Sequence, residues 1–413
     1  MASASDRVAG PIARALLRQL RAGHLVVAGP EDAAHREYGD PSADLRTTIT
    51  VRKPGFHRAL LRGSNGLAES YADGVWECDD MVVLIRMAAR NMRSIDRVRR
   101  VIHPLTSLVQ RINGIRRRPT RRRSRRQIAA HYDLGNDLFE LFLDESLTYS
   151  AAIFESPEAT LEEAQQAKLH AICRKLGLGP DDHLVEIGSG WGALAMLAAG
   201  EYGARVTTTT ISQEQHRVVN ERVAAAGLED RVTVLLSDYR DLEGRYDKLV
   251  SVEMIEAVGW QYFDTFFAKC SDLLRPGGAM LLQAITIEDD AYEVEKVSKS
   301  FINTHIFPGG CLPSLEIIAR ARAKAGGLVE IGREDLTRHY AVTLERWRSR
   351  FEAAADRAHE LGYDQRFRRL WSFYLSYCEA GFREERIGDF QLLMAKPGPA
   401  ELPAAGRAAT VTG

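Results

Sequence analysis

The sequence predicts an α/β protein whose larger, C-terminal part forms a doubly wound parallel sheet. Between residues 168 and 290, short runs of apolar and β-branched residues alternate with helical stretches, which indicates a parallel sheet covered on both faces. A glycine-rich turn follows the first of these strands, at the edge where a doubly wound sheet binds its ligand. The segment before about residue 110 lacks this alternation and predicts a smaller N-terminal domain.

The strands and helices of the predicted sheet can be followed in order along the chain. A helix over 167–176 leads to the first strand, HLVEI, and the helix after the glycine-rich turn is closed by Gly203. The next three strands lie in ARVTTTTIS, RVTVLLSDY and KLVSVEM. The helix before the fifth strand, AMLLQAITI, is expected to end at the turn Pro276–Gly278. In the N-terminal segment, TTITV alternates like a strand, whereas FHRALL and MVVLIRMAARNM are expected to be helical.

The charge of the chain is distributed asymmetrically, although the 413 residues carry a formal net charge of only −1. Residues 1–126 contain 25 Lys and Arg against 12 Asp and Glu, and eight of these arginines lie between residues 116 and 126. Such a run is either a solvated linker or a surface for anionic lipid headgroups. The sequence shows neither zinc-finger spacing nor an aromatic RNA-binding signature beside it, so we expect no nucleic-acid partner.

These patterns divide the chain into four predicted regions. They are an N-terminal domain associated with lipid or membrane (1–115), an arginine-rich linker (116–126), the α/β domain (127–398) and a disordered tail (399–413). No apolar stretch approaches the roughly 20 residues that span a bilayer, and the N-terminus lacks a signal peptide. Five dispersed cysteines predict neither a disulfide framework nor a metal site. We therefore expect a cytoplasmic protein that associates peripherally with the inner face of the membrane.

The turn after the first strand has the sequence EIGSGWG at residues 186–192. Glycine lets the backbone turn tightly and approach a ligand closely. The spacing is G-x-G-x-G, whereas a dinucleotide site has G-x-G-x-x-G and an acid about 20 residues later. Here the next strand ends in TTIS without an acid, and Asp238 after the third strand could contact an adenine edge. The turn therefore predicts a methyltransferase loop that binds the methionine part of S-adenosylmethionine (SAM).

An ordered series of motifs extends from this turn in both directions. HYDLGND, LFLDESLTYSAAIFE, the glycine-rich turn, TTISQEQ, SDYRD, SVEMIEAVG, IFPGGCLPS and YLSYCEAGF follow one another in that order. Over residues 127–398 the series closely resembles the cyclopropane-fatty-acyl-phospholipid synthases and their relatives, the mycolic acid cyclopropane synthases. The segment before the arginine run resembles, more loosely, the N-terminal domain of the longer synthases. The resemblance implies a Rossmann-like class I methyltransferase domain and a homodimer.

The resemblance also implies which residues bind SAM. A tyrosine–serine pair lies at the methionine end, a threonine and a glutamine contact the ribose, and a tyrosine–arginine pair encloses the adenine. Together with the glycine-rich turn and the acid after the third strand, these residues are Tyr149, Ser150, Glu186, Gly188, Ser189, Gly190, Trp191, Gly192, Thr210, Gln215, Asp238, Tyr239 and Arg240.

Members of this family hold a bicarbonate ion beside the reactive methyl group. The matching positions, with a cysteine assigned to the family's active site, are Ala151, Glu256, Gln283, Ile285, Tyr340 and Cys378. Two positions depart from the family pattern, because Ala151 replaces a common cysteine and Gln283 replaces a histidine. The backbone N–H of Ala151 could still hold the ion, whereas Gln283 cannot carry the charge of a protonated histidine.

The function that the resemblance implies is methylene transfer from SAM to the cis double bond of an unsaturated phospholipid acyl chain. Attack of the alkene on the sulfonium methyl leaves a carbocation. Bicarbonate, oriented by Glu256 and Tyr340 with help from Gln283, would then take a proton and close a cyclopropane ring. Three alternatives stay open: a methylene-branched product, which would require a partner reductase; an inactive homologue that binds SAM and lipid; and a methyltransferase for small soluble acceptors.

Overall fold

The computed structural model of the protein describes residues 4–29, 32–92 and 135–398. The predicted arginine-rich linker at 116–126, the first residues of the HYDLGND motif and the predicted tail at 399–413 lie outside these ranges. The boundaries of the four predicted regions therefore stay predictions. Among the described helices, none has the length and apolar character needed to cross a membrane.

The N-terminal segment forms a small four-stranded sheet with helices beside it. Its elements are α1 (Ala4–Leu17), β1 (His24–Gly29), β2 (Asp32–Gly39), β3 (Arg46–Val51), α2 (Phe56–Leu61), α3 (Gly63–Ala72) and β4 (Trp76–Cys78). The strand order is β2-β1-β3-β4, with β1 parallel to β3 and the other neighbours antiparallel. Residues 81–92 are helical. The predicted strand in TTITV and the predicted helices in FHRALL and MVVLIRMAARNM are confirmed.

The remainder of the described chain forms the predicted α/β domain around a seven-stranded sheet. Its elements are α4 (Asn136–Glu140), α5 (Leu161–Leu176), β5 (His183–Ile187), α6 (Ala193–Gly200), β6 (Arg205–Thr210), α7 (Gln213–Ala225), β7 (Val232–Leu236), β8 (Tyr246–Val252), α8 (Phe263–Leu273), β9 (Leu274–Ile287), α9 (Asp289–Glu295), α10 (Leu315–Ala325), β10 (Val329–Asp335), α11 (Thr337–Ala353), α12 (Ala355–Glu360), α13 (Gln365–Arg383) and β11 (Ile387–Ala395).

The order of the strands creates a crevice for a ligand. The sheet has the order β10-β11-β9-β8-β5-β6-β7; β9, β8, β5, β6 and β7 are parallel, and β11 is antiparallel to both of its neighbours. The chain moves outward from β5 to β7 and then returns to place β8 on the other side of β5. Ligands bind beyond the carboxyl ends of the strands at such a reversal. The doubly wound fold agrees with the sequence prediction, and the reversal lies where the glycine-rich turn follows β5.

Two elements begin earlier than the sequence pattern indicated. Helix α5 starts at Leu161 rather than near 167, because Thr160 and Glu163 form a capping box that satisfies free backbone N–H groups at its first turn. Strand β9 starts at Leu274, before the predicted turn Pro276–Gly278. Leu274 pairs with Tyr246, and after a shift in register Ala279 pairs with Lys248, so the turn residues are contained within the strand.

The N-terminal segment packs directly against helix α13 of the α/β domain. The guanidinium carbon of Arg369 lies 4.1 Å from the centre of the Tyr71 ring, and Arg369 Nη2 donates a 2.9 Å hydrogen bond to the Trp76 carbonyl. The Tyr71 and Phe373 rings lie 6.0 Å apart. Buried residues of both parts belong to one continuous hydrophobic cluster, so the two parts share a core.

Candidate active site

The glycine-rich turn at the end of β5 has the geometry of a ligand cradle. Gly188, Gly190 and Gly192 have φ values of 101°, 49° and 89°, a region that favours glycine. The backbone N–H groups of Gly188 and Ser189 donate to the Thr209 carbonyl at 3.0 and 2.9 Å, which fixes the turn to β6. A Cβ atom at Gly190 would meet no protein atom within 4 Å, so this position faces open space. A Cβ atom at Gly192 would lie only 2.9 Å from Val219 Cγ1.

The side chains around the turn hold its shape. Glu186 is buried in β5, where it accepts a 2.6 Å hydrogen bond from Thr208 Oγ1, and burial raises the pKa of its carboxyl to about 8. Trp191 Nε1 donates a 2.9 Å bond to Asn136 Oδ1, and the Trp191 ring lies 5.0 Å from that of Phe139. The Ser189 hydroxyl donates to the Gly190 carbonyl at 3.1 Å.

The two residues expected at the ribose lie together where β6 ends and α7 begins, and Asp238, expected at an adenine edge, lies at the end of the neighbouring strand β7. Thr210 Oγ1 donates a 2.8 Å hydrogen bond to Gln215 Oε1, at the start of α7. Asp238 follows β7 and accepts from Arg240 Nε at 2.8 Å and from Nη2 at 2.6 Å. This ion pair holds the Asp238 carboxylate in place.

The residues expected at the adenine belong to a cluster of aromatic rings around one guanidinium. The guanidinium carbon of Arg240 lies 5.6 Å from the centres of the Tyr239 and Tyr262 rings. The Tyr239 ring meets Phe266 edge-on at 5.5 Å, and its hydroxyl is buried without a hydrogen-bond partner among the described residues. Flat aromatic surface and an unpaired hydroxyl fit a purine ligand.

The tyrosine–serine pair expected at the methionine end is tied to a buried lysine. Lys168 of α5 is only 1% exposed, and its Nζ donates a 2.9 Å hydrogen bond to Ser150 Oγ. Burial lowers the pKa of this lysine to about 8, and surrounding carboxylates oppose the shift. The hydroxyls of Tyr149 and Tyr374 are 2.6 Å apart. The pair is therefore fixed by α5 on one side and by α13 on the other.

Three of the groups expected to hold bicarbonate converge instead on one side chain, Glu253. Glu253 follows β8, and its Oε1 accepts 2.8 Å hydrogen bonds from the Ala151 backbone N–H and from Gln283 Nε2. Its Oε2 accepts a 2.7 Å bond from the Tyr340 hydroxyl. Burial raises the pKa of the Glu253 carboxyl, whereas these three donors and the charge of Lys168 lower it.

The residues present do not fit a bound bicarbonate ion. Bicarbonate needs donors for its oxygens, and the Ala151, Gln283 and Tyr340 donors already point at the carboxylate of Glu253. A second anion there would face a carboxylate at close range without a free donor set. The sequence prediction identified the donor residues of an anion site, and the structure places a protein carboxylate in it.

The other two predicted ligands of the ion form a separate contact beside Glu253. The Ile285 backbone N–H donates a 2.6 Å hydrogen bond to Glu256 Oε1, while Glu256 Oε2 is buried without a partner among the described residues. Burial and the nearby Glu253 raise the pKa of the Glu256 carboxyl to about 8. Glu256 therefore lies beside Glu253, but the three donors that bind Glu253 do not bind Glu256.

Cys378 lies on α13 among aromatic side chains and makes none of the described hydrogen bonds. Burial raises the pKa of its thiol to about 12. A thiol of this kind is protonated near neutral pH and is a poor nucleophile. The structure places Cys378 close to the aromatic cluster, as a small apolar side chain.

An aromatic wall connects the cofactor turn with the carboxylates. The Tyr149 ring lies 5.2 Å from both Phe139 and Trp347, and Trp347 lies 6.1 Å from Tyr340. Aromatic faces stabilise a nearby positive charge without binding water. The site is thus apolar and aromatic on one side and anionic on the other.

Sequence reasoning missed three titratable residues of this site: Glu253, Lys168 and Asp389. Asp389 of β11 is fully buried and accepts a 3.0 Å bond from Gln283 Nε2, and burial raises the pKa of its carboxyl well above the ordinary value. One signal was present in the sequence, since SVEMIEAVG places two glutamates three residues apart at the end of a buried strand. The sequence prediction included only the second of them, Glu256, among the site residues.

The comparison with known proteins agrees with this geometry. The profile of the mycolic acid cyclopropane synthetase family matches residues 119–392. Over 361 residues the chain is 38% identical to the tuberculostearic acid methyltransferase UfaA1 of Mycobacterium tuberculosis (86% of this chain, 83% of the relative). It is also 38% identical over 361 residues to the cyclopropane-fatty-acyl-phospholipid synthase of Escherichia coli K12 (87% and 89%).

A solved structure relates the fold to the cofactor. The mycolic acid cyclopropane synthase CmaA1 in complex with SAH and CTAB superposes with a TM-score of 0.61 at 34% identity. The match covers 66% of this chain and 98% of CmaA1. The seven-stranded sheet with its glycine-rich turn at the strand reversal, together with these relatives, defines a SAM-dependent methyltransferase with the class I fold. Within that class, the chain belongs to the mycolic acid cyclopropane synthetase family.

Proposed function

We propose that the protein transfers a one-carbon unit from SAM to the cis double bond of an unsaturated phospholipid acyl chain, forming a cyclopropane. The observation that carries the proposal is the pairing of an aromatic wall with buried carboxylates directly beside the cofactor turn. Met254 links the two sites, because its Cγ would lie 3.3 Å from a Cβ atom on Gly188. So apolar and aromatic an environment suits an acyl chain better than a small polar acceptor.

The chemistry requires little covalent participation from the protein. When bound, SAM supplies an electrophilic methyl group on a sulfonium sulfur. The π electrons of the alkene form the new C–C bond, and a positive charge remains on the chain. Tyr149, Trp347 and their aromatic neighbours exclude water, and their π faces favour that charge. A base then removes one proton from the added methyl, and the C–H electrons close the three-membered ring.

A methylene-branched product is the second candidate, favoured by the match to a relative named for methylating a fatty acid. It follows from the same carbocation if a hydride first shifts from the carbon that bears the new methyl. The charge then lies on that carbon, and loss of a methyl proton gives an exocyclic double bond. A separate reductase would be needed to saturate it. The two products differ only in whether deprotonation or the hydride shift comes first.

Mass spectrometry of acyl chains tests the proposal after expression in a host that lacks its own synthase. We expect monounsaturated chains to gain the mass of one CH₂ group. Resistance of the product to mild hydrogenation identifies a ring, whereas uptake of hydrogen identifies the methylene branch. Unchanged acyl chains in a host with a folded, SAM-binding protein would contradict the proposal and favour an inactive homologue or a small soluble acceptor.

We also propose that helix α1 rests on an anionic bilayer. Val8, Ile12 and Leu16 recur every four residues on one face of α1 and are 65%, 54% and 41% exposed. Exposed arginines, Arg18 and Arg21, follow this face. An apolar stripe with adjacent cations is the pattern of a helix lying at a membrane interface. Each cation near an anionic surface contributes about 1 kcal/mol. A second copy of the chain would bring like charges together.

Replacing Val8 and Ile12 together by glutamate should abolish flotation with phosphatidylglycerol vesicles while SAM binding is unchanged. The matched control replaces Val329 and Ile331 of β10, which are 51% and 60% exposed, with glutamate and should still float. Unaltered flotation of the α1 variant would contradict membrane docking by this helix. A change from dimer to monomer in the α1 variant, with flotation retained, would assign the stripe to self-association.

A further inference from the structure

Glu253 adopts a backbone conformation that is unfavourable for its residue type. Its φ of 48° lies in the left-handed region, which non-glycine residues seldom occupy. Such a conformation costs roughly 1–3 kcal/mol and persists where the surrounding structure requires it, often at functional sites. Here the Glu253 backbone N–H donates to the Gln283 carbonyl at 2.9 Å, which holds the residue at the end of β8. The strain places the carboxylate among its three donors.

The donors around Glu253 are themselves held in one orientation. Gln391 Nε2 donates a 3.0 Å hydrogen bond to Gln283 Oε1, so the amide nitrogen of Gln283 must face Glu253 and Asp389. Lys175 Nζ in turn donates to Gln391 Oε1. Tyr340 is fixed by stacking on Phe382, with ring centres 4.4 Å apart. The arrangement is preorganised for a negatively charged acceptor.

We propose that the Glu253 carboxylate is the base that removes the proton from the newly added methyl group, in the place where the sequence resemblance implied a bicarbonate ion. The inference rests on the proposed function and specifies its deprotonation step. Ala151, whose N–H binds Glu253, directly follows the Tyr149–Ser150 pair expected at the methionine end of SAM. The carboxylate is therefore positioned beside the group that carries the reacting methyl.

The neighbouring carboxyls are less suited to this role. Asp389 is fully buried and receives only the hydrogen bond from the amide of Gln283, whereas the Glu253 carboxylate receives three. Glu256 accepts from the Ile285 N–H and lies apart from the three convergent donors. Of these three carboxyls, Glu253 is the one that several donors hold in place, and one of those donors directly follows the residues expected at the methionine end of SAM.

The step balances without a further reactant. The alkene electrons form the C–C bond while the C–S bond breaks, and its electron pair stays on sulfur as S-adenosylhomocysteine. A Glu253 oxygen takes a proton from the added methyl, and the released C–H pair forms the third bond of the ring. Glu253 ends as a neutral carboxylic acid, which returns its proton to solvent after product release.

Two substitutions at Glu253 test the proposal in the full-length protein, with unsaturated phosphatidylglycerol vesicles and SAM. Glu253→Gln keeps the size of the side chain and removes the base, so turnover should fall at least about a hundredfold with SAM affinity unchanged. Glu253→Gly removes the side chain, relieves the backbone strain and opens the donor set. In carbonate-free buffer it should be inactive, and added bicarbonate should restore turnover by at least about tenfold.

The wild-type protein should turn over equally in carbonate-free and bicarbonate-containing buffer. Dependence of the wild type on bicarbonate would overturn the inference, as would near-normal turnover of Glu253→Gln. A folded, SAM-binding Glu253→Gly variant without rescue by bicarbonate would also overturn it, because the site would then not need a carboxylate-like anion. If the wild type yields no lipid product under any condition, the proposed function itself fails.

Discussion

Gly190→Ala should weaken SAM binding at least about tenfold, equivalent to about 1.4 kcal/mol, while the protein stays folded. The new Cβ would meet no protein atom within 4 Å, so the change introduces no clash with the protein itself. It would occupy the open space that the cradle reserves for the methionine part of the cofactor. Isothermal titration of SAM into the purified variant measures the loss.

Gly227→Ala is the matched control for this prediction. Gly227 follows helix α7 and has a φ of 66°, and a Cβ atom added there would likewise meet no atom within 4 Å. Both variants therefore carry a similar left-handed strain, which costs about 1 kcal/mol of stability. The control should bind SAM normally. Equal affinities of the two variants would show that the turn at Gly190 is not the cofactor cradle.

Lys168→Met should move the ascending limb of the pH–turnover profile to higher pH. Glu253 must be ionised to accept a proton, so turnover rises with pH through the pKa of this carboxyl. The charge of Lys168 lowers that pKa, whereas Glu256 and Asp389 face the same site and disfavour further negative charge. Without the lysine the carboxyl holds its proton to higher pH.

The effect of Lys168 should be largest below pH 8, because the pKa of its own ammonium group is about 8 and its charge fades above that value. Arg174→Met removes a cation from the exposed side of the same helix α5 and should leave the profile in place. Turnover of both variants is measured across pH at saturating SAM. If the midpoint of the ascending limb is unchanged in Lys168→Met, the charge of this lysine does not set the pKa of Glu253.

The fold and the shape of the turn after β5 could be predicted from the sequence because their signals are local. The glycines at 188, 190 and 192 are needed by the turn itself, since each has a positive φ. The Thr210–Gln215 contact spans five residues across one strand–helix junction. The alternation of apolar strands with helices likewise predicts the parallel sheet from neighbouring residues alone.

The catalytic carboxylate could not be predicted in the same way because its environment is assembled over long distances. Glu253 is bound by residues 102, 30 and 87 positions away in the chain. Nothing near Glu253 in sequence indicates that Ala151 and Tyr340 would point at it. The resemblance implied Ala151, Gln283 and Tyr340 as ligands of a bicarbonate ion, and the acid that it selected was Glu256, three residues after Glu253.

Lys168 was missed because a helix pattern assigns charged residues to the solvent face. On α5, however, Lys168 shares the buried face with Leu161, Leu169 and Ile172. Burying a lysine is costly without partners, and Ser150 and the nearby carboxylates provide them. Such a position is recognisable only once the carboxylates are known to converge there.

The most direct test of methyl transfer followed by deprotonation uses SAM with a fully deuterated methyl group and vesicles of monounsaturated phospholipid. We expect a product that contains two of the three deuterium atoms, because the base removes one from the transferred methyl itself. Both the cyclopropane and the methylene branch meet this expectation. A product that retains all three would contradict deprotonation at the methyl group, and a lipid without deuterium would contradict methyl transfer to the acyl chain.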